Sequence, residues 1–367
     1  MSEPTLDAII AEKRQEIHSD AYPMSIGELA NLYAEGDLDI HPEFQRIYRW
    51  REPQRSRLVE SILLGIPLPS IFVAQRDDGV WDVVDGVQRL STIFSFLGIY
   101  KDEKGDLVAP LVLTATEQIP MLNGMRWQGE YEDDPRGFSK ELQRAFKREK
   151  VDLKIIKKES GKEAKFELFQ RLNTLGSTLS PQEVRNCLLL MIDRDFYRWL
   201  LELSQYGAFR DTLTLTDRQF DEKYDMELVT RFVVLVRDDW PSLARLDDLG
   251  QYLTDSIRDL VLHQKIDKNA VAIAFKKTFD LLNADYAEDA FRKNVNDKFR
   301  GPFSIALYEA LAIGLGAKLY ASGSYNGSIA DARAKIVSSP EFDTSSGSGV
   351  RGTTRMPKMV EIGKAAF

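Results

Sequence analysis

Cysteine is almost absent: the 367 residues contain one, Cys187. A single thiol excludes an internal disulfide and a cysteine-rich zinc site. Its setting, VRNCLLLM, reads as a buried helix face. Histidine is nearly as scarce. His18, His41 and His263 stand far apart and none has a partner at zinc-ligand spacing. Their scatter also argues against a His-Asn-His nuclease centre on this chain. Only His41, four residues before Gln45, is kept near a candidate site. No run of about 18 apolar residues occurs, so no membrane span is expected. The opening MSEPTLDAIIAEKRQEIHSD is charged throughout and lacks an apolar core, so no secretory signal is expected and a cytoplasmic location is. There is no Gly-x-Ser-x-Gly elbow, no Walker A loop, no heptad series and no internal repeat. Basic charge is not in excess either. The 49 Lys and Arg against 57 Asp and Glu give a net charge of -8, unlike a passive nucleic-acid binder.

What is present is the make-up of a globular protein, 43% hydrophobic and 29% charged, with length for about two or three domains. Basic charge concentrates in two places. Residues 140–165 hold ten Lys/Arg against five Asp/Glu, and the tail places Arg351, Arg355, Lys358 and Lys364 against Glu361 alone. Each is either a solvated face or a local phosphate contact, and Arg351, Arg355 and Lys358 are the candidate DNA contacts.

Along the chain, residues 1–20 read as a helical lead-in. Ser25-Ile26-Gly27-Glu28 is a capping-box pattern with Gly36 as the stop. DLDIHPEFQRIYRW reads as extended, and a helix follows Pro53. SIFVAQRDDGVWDVV reads as a β-hairpin turning at Asp78-Gly79. Next, Leu90, Ile93, Phe94 and Leu97 repeat at i, i+3, i+4, i+7, one buried helix face ended by Gly98. Residues 100–137 are loop-rich, and VDLKII alternates like a strand. After about residue 160 the patterns are almost all helical, beginning with Ser180-Pro181-Gln182-Glu183, another capping box. The segment 343–354 is rich in Gly, Ser and Thr and reads as a mobile loop. The expected fold class is α+β: an α/β domain over 21–175, a helical domain over 176–340, then a Gly/Ser-rich loop and basic tail over 341–367.

Three stretches carry chemistry. In VVDGVQR a strand feeds a helix through one turn. Asp85 suits an N-cap with Gln88 bonding back, and Gly86 relaxes the turn. The same geometry also presents free N–H groups to an anion. Arg89 adds a guanidinium fork, Ser91 and Thr92 add hydroxyls, and Asp85 suits a water or Mg²⁺. In FQRIYRW, Gln45 and Arg46 pair an amide with a guanidinium amid aromatic residues. These are either core anchors or a base-stacking surface. In FQRLNTLG, Arg171 and Asn173 repeat the pairing, or mark a helix end.

These elements, FQRIYRW, VVDGVQRL and FQRLNTLGSTLSPQEVRN in that order, resemble the family that forms the N-terminal half of GmrSD-type modification-dependent restriction enzymes and of SspE-like phage-defence proteins. The resemblance covers about residues 25–190. It implies a ParB/sulfiredoxin-like α/β fold binding nucleotide phosphates at the helix start of a DGQQR motif, with nucleoside-triphosphate hydrolysis and the sensing or cutting of modified phage DNA. Matched by motif, Gln45 and Arg46 fall in the first segment. Asp85, Gly86, Gln88 and Arg89 fall in the second, Arg171 and Asn173 in the third. Val87 stands where that motif has its first Gln, so an amide is missing.

Two functions follow. In the first, the chain is a nucleotide-binding and hydrolysing sensor or regulatory subunit of a restriction system, acting with a separate nuclease. Asp85, Gln88 and Arg89 are then the catalytic candidates. Gln45, Arg46, Gly86, Ser91, Thr92, Arg171 and Asn173 hold phosphates, and Mg²⁺ sits with the nucleotide at Asp85. In the second, the pocket binds a nucleotide or DNA backbone without turnover and recruits partners, self-association among them. Zinc and redox cofactors are not expected. Sulfiredoxin-like chemistry needs a reactive thiol, which buried Cys187 does not offer.

Overall fold

The computed structural model describes residues 5–6, 18–40, 50–102, 105–161, 180–237, 247–263, 266–295, 298–347 and 349–367. The chain divides into two units, Met1–Ser177 and Thr178–Phe367. The fold class is α+β, a mixed five-stranded sheet in the first unit and a mostly helical second unit.

In the first unit the strands are β1 (Ser19–Ser25), β2 (Leu38–Asp39), β3 (Ile71–Gln75), β4 (Trp81–Asp85) and β5 (Lys150–Ile156). Their order is β1-β5-β3-β4-β2. β3 runs parallel to β5 and antiparallel to β4, while β2 runs parallel to β4. β1 takes up an edge against β5, where Pro23 is tolerated because an edge strand leaves one row of N–H groups unpaired. Its first residues, Ser19 and Asp20, were expected in the helical lead-in; pairing with Ile156 and Ile155 makes them strand. The β3–β4 hairpin turns where Asp78-Gly79 predicts, with the Val80 N–H donating to Asp78 Oδ1 at 3.1 Å.

The helices of this unit are α1 (Ile26–Glu35), α2 (Glu52–Leu63), α3 (Val87–Leu97) and α4 (Lys140–Arg148). Ser25 caps α1 by accepting from the Glu28 N–H, and Gly36 closes it in the left-handed conformation. Ile26, Leu29, Leu58, Ile62, Leu90, Ile93 and Phe94 bury the helices in one core with Ile71, Val73 and Val83 of the sheet. The stretch expected as loop is held by this core. Phe96 of α3 meets Trp127, Phe138 and Phe146 edge-on at 5.0–5.6 Å. Ser56 and Glu60 of α2, both buried, accept the N–H groups of Thr114, Gln118 and Ile119.

The second unit contains α5 (Pro181–Ile192), α6 (Arg194–Ser204), α7 (Gly207–Asp211), α8 (Asp217–Asp221), α9 (Tyr224–Leu235), α10 (Leu249–Leu262) and α11 (Lys268–Tyr286). A short hairpin, β6 (Lys293–Val295) and β7 (Lys298–Arg300), leads to α12, the helical run Ile305–Ser322, with a π-turn at Tyr308–Ala312. α13 (Ile329–Val337), α14 (Pro340–Ser345) and α15 (Gly352–Ala366) follow. Ser180 caps α5 through the reciprocal bond with Glu183 that its spacing predicts. α12 is long and apolar enough to cross a membrane, but 72% of it is buried inside the protein, the setting of a core helix. The expected loop 343–354 is helical at both ends, where α14 runs to Ser345 and α15 starts at Gly352, and the described residues between them are non-helical.

Candidate functional site

The turn of VVDGVQR is built by β4, a bulge and α3. Phe72 of β3 lies opposite Asp85, yet Val73 lies opposite Val83, so the ladder slips one residue at Val84. A bulge of this kind bends a strand end and re-aims the side chain that follows. Gly86 then takes φ 101° and ψ 8°, and α3 begins. A Cβ on Gly86 would lie 2.8 Å from Ile71 Cγ1, so both conformation and space require glycine.

The expected Asp85 cap is not formed. Gly86 occupies the cap position and no side chain caps α3. The left-handed glycine places Asp85 one residue too early to reach the first-turn N–H groups. The first i to i+4 bond of the helix runs from the Leu90 N–H to the Gly86 carbonyl at 2.9 Å. The N–H groups of Val87, Gln88 and Arg89 therefore have no acceptor within the helix.

Asp85 instead pairs with Arg89, Oδ2 to Nη2 at 3.2 Å, its carboxylate 38% exposed against 11% for the arginine. Arg89 was expected as an open fork for phosphate. It is folded inward: Nη1 donates to the carbonyls of Pro69 and, at 3.3 Å, Ser70. Burial pulls the Arg89 guanidinium below its ordinary pKa, and the Asp85 charge opposes that shift. Arg89 thus ties the start of α3 to the chain entering β3 and holds one Asp85 oxygen. The other, Oδ1, accepts no hydrogen bond among the described residues.

Ser91 and Thr92 were expected to offer hydroxyls to a ligand. Both are buried in the second turn of α3, and Thr92 Oγ1 donates back to the Gln88 carbonyl at 2.7 Å. The reason is that α3 is covered on nearly every side, whereas its apolar spacing announced one face. Val87 is buried in the core and Gln88 is half-buried. Gln45 and Arg46, with His41, and Arg171 and Asn173 lie outside the described residues.

A cavity of about 500 Å³ opens at the opposite end of α3, lined by Phe96, Ile99, Pro110, Val112, Arg126 and Trp127 among others. Val87–Ser95 of the helix separate its first lining residue, Phe96, from the turn, about 14 Å along the axis. It has no residue in common with the turn.

The helical unit contains a polar group that the sequence did not announce. Arg185 Nη2 meets Glu227 Oε2 at 2.9 Å, and Arg231 Nη2 meets Glu227 Oε1 at 2.6 Å. Arg231 also bonds Glu309, whose Oε2 accepts from Arg355 Nε at 2.9 Å. Burial lowers Arg185 to about 10, so it stays charged at neutral pH. For Arg231, burial pulls downward but Glu227 and Glu309 outweigh it and raise the value. Burial pushes the neighbouring Tyr224 up to about 12, which keeps it neutral. Glu309 lies in the π-turn of α12, a departure from α geometry that recurs at functional sites. Of the tail residues expected to meet DNA, Arg351 is exposed at the cap of α15 and Lys358 is exposed on that helix. Arg355 is committed to Glu309 instead, because the helix turns it into the core.

Residues 26–190 match the family profile of the GmrSD restriction endonuclease N-terminal domain. The match covers β2 to β5 of the sheet, the turn at Asp85 and most of α5. No curated protein matches the chain.

Proposed function

Residues 26–190 belong to the GmrSD N-terminal domain family, and from that premise we propose that the chain is the nucleotide-binding, nucleoside-triphosphate-hydrolysing sensor or regulatory component of a restriction-type phage-defence system. The observation that carries the reading is the uncapped start of α3 beside a half-exposed Asp85. The N–H groups at a helix start, here those of Val87 and Arg89, attract phosphate oxygens. Gly86 lets the backbone approach without a Cβ in the way. In hydrolysis a water oxygen bonds to the terminal phosphorus as the bond to the leaving phosphate oxygen breaks. Asp85 Oδ1 orients that water or an ion, and Arg89 acts as a positioning residue that holds Oδ2 and the turn.

Among the described residues no three His, Cys, Asp or Glu side chains gather to hold a metal. One carboxylate oxygen suits Mg²⁺ that keeps waters and takes its other ligands from the nucleotide, and does not suit an all-protein cage. Bound so, the ion would offset phosphate charge. The reading assigns DNA cutting to a separate nuclease.

The alternative, binding without turnover, has one observation in its favour. Val87 is an apolar core residue where the motif has an amide. Phosphate release from each common nucleoside triphosphate, with and without DNA, separates the two. Turnover that Asp85→Ala abolishes is the expected result. Absence of turnover, with retained binding of a non-hydrolysable triphosphate, leaves the binding module. Absence of both removes the proposal.

A further inference from the structure

The buried ionic chain of the helical unit ends on an arginine at each side. Arg185, Arg231 and Arg355 bond two carboxylates, Glu227 and Glu309, and Asp248 adds its charge at the Arg185 end. Each of the two bonded carboxylates lies between two guanidiniums. At one end, Arg185 is fully buried and also donates to Gln182 Oε1 and the Gly250 carbonyl. At the other, Arg355 lines a cavity of about 470 Å³. Its Nε and Nη2 are fixed on Glu309, while Nη1 makes no hydrogen bond among the described residues.

Two more cations line the same cavity. Lys293 and Arg300 are directly opposite one another on the β6–β7 hairpin. Like charges placed so across a strand pair repel. Neither has a carboxylate partner among the described residues, and no Asp or Glu lines the cavity. This is unlike the chain at large, where acids outnumber bases 57 to 49. A solvated surface of that composition interleaves the two signs; here three cations converge from a hairpin and a helix, and the carboxylate that meets one of them, Glu309 on Arg355, is shared with Arg231. An anion relieves the repulsion and uses the guanidinium that Glu309 has already oriented.

The size and walls narrow the ligand. The volume lies in the range of small-molecule sites, roughly 300–1,000 Å³. Phe303 and Ile305 supply apolar wall, and Ser304 and Ser346 line it too. We infer that this cavity is a second ligand site, for a small phosphorylated molecule of the pyrophosphate or nucleoside diphosphate class. Its phosphates are held by Lys293, Arg300 and Arg355. The site is separate from Asp85 and does not depend on the function proposed there.

Calorimetric titration of the full chain with inorganic pyrophosphate, with ADP and with a dT oligonucleotide tests it, the binding component lost on removal of Lys293 and Arg300 being the one that belongs to this cavity and not to the turn at Asp85. The expected result is one-to-one binding of pyrophosphate or ADP that weakens as salt rises. The Lys293→Ala/Arg300→Ala pair should weaken it at least about tenfold at unchanged Tm, and Lys293→Arg/Arg300→Lys should restore it. Both residues are exposed on the hairpin, so the fold survives their removal. Undiminished affinity in the double alanine variant overturns the proposal. So does absence of binding to either small probe, including the case where only the oligonucleotide binds and the face is a nucleic-acid surface.

Discussion

Replacing Gly86 by alanine tests the strand-to-helix turn directly. At φ 101° an L-residue is strained, at a cost of roughly 1–2 kcal/mol. The new methyl would stand 2.8 Å from Ile71 Cγ1, 3.3 Å from Ile71 Cγ2 and 3.3 Å from Arg89 Nη2. Ile71 is fully buried in the central strand β3, between β5 and β4, so it has nowhere to move. Overpacking of this kind costs about 1–3 kcal/mol. Restricting the unfolded chain offsets about 0.4–1 kcal/mol. At the middle of these ranges the net loss is about 3 kcal/mol, which lowers the protection of α3 amides against hydrogen exchange by roughly 100-fold. Gly79→Ala is the matched control. It too has a positive φ, 92°, but its Cβ would meet nothing within 4 Å. It should cost only the conformational part, about 1 kcal/mol. Hydrogen exchange read at residues 87–97 in both variants decides the matter. Equal losses in the two would refute the claim that Ile71 closes the space beside the turn.

In the helical unit, Glu309→Ala should cost about 3–5 kcal/mol, because it leaves one side of buried Arg231, and half-buried Arg355, without a carboxylate; a shift in urea midpoint equivalent to under 1 kcal/mol would contradict the network. The same network sets an acid limb. Burial alone would raise the Glu227 carboxyl, but Arg231 and Arg185 outweigh it and hold its pKa below the ordinary 4.5. A depressed folded pKa stabilises fully above 4.5, and the gain disappears as pH falls through the folded value. Urea midpoints measured between pH 3 and pH 6 should therefore fall with acid, and Glu227→Gln should flatten that fall while lowering stability at neutral pH.

Local signals read well where the chain supplies its own partner. Ser25 with Glu28, and Ser180 with Glu183, are caps whose donors and acceptors lie three residues apart. The Asp78-Gly79 hairpin and the buried face of α3 belong to the same class. Legibility failed where a partner is distant. β1 became a strand because Ile155 and Ile156 of β5, more than 130 residues away, complete its ladder. Arg89 looked like an open phosphate fork because nothing local announces the Pro69 and Ser70 carbonyls that take its donors. Ser91 and Thr92 looked available because one apolar stripe does not reveal that the other faces of α3 are covered as well.

The sequence by itself determined the α+β class, the strand-turn-helix at Asp85 and the family of residues 26–190, since each depends on spacing along the chain, where steric and hydrogen-bonding rules act over a few residues. Only the tertiary structure decided what the charged groups of that turn do, and that Arg185, Glu227, Arg231, Glu309 and Arg355 form one buried chain leading to a basic cavity. Their positions span 170 residues. Electrostatic energy depends on separation through space and on exclusion of water, and neither quantity is written in the order of residues.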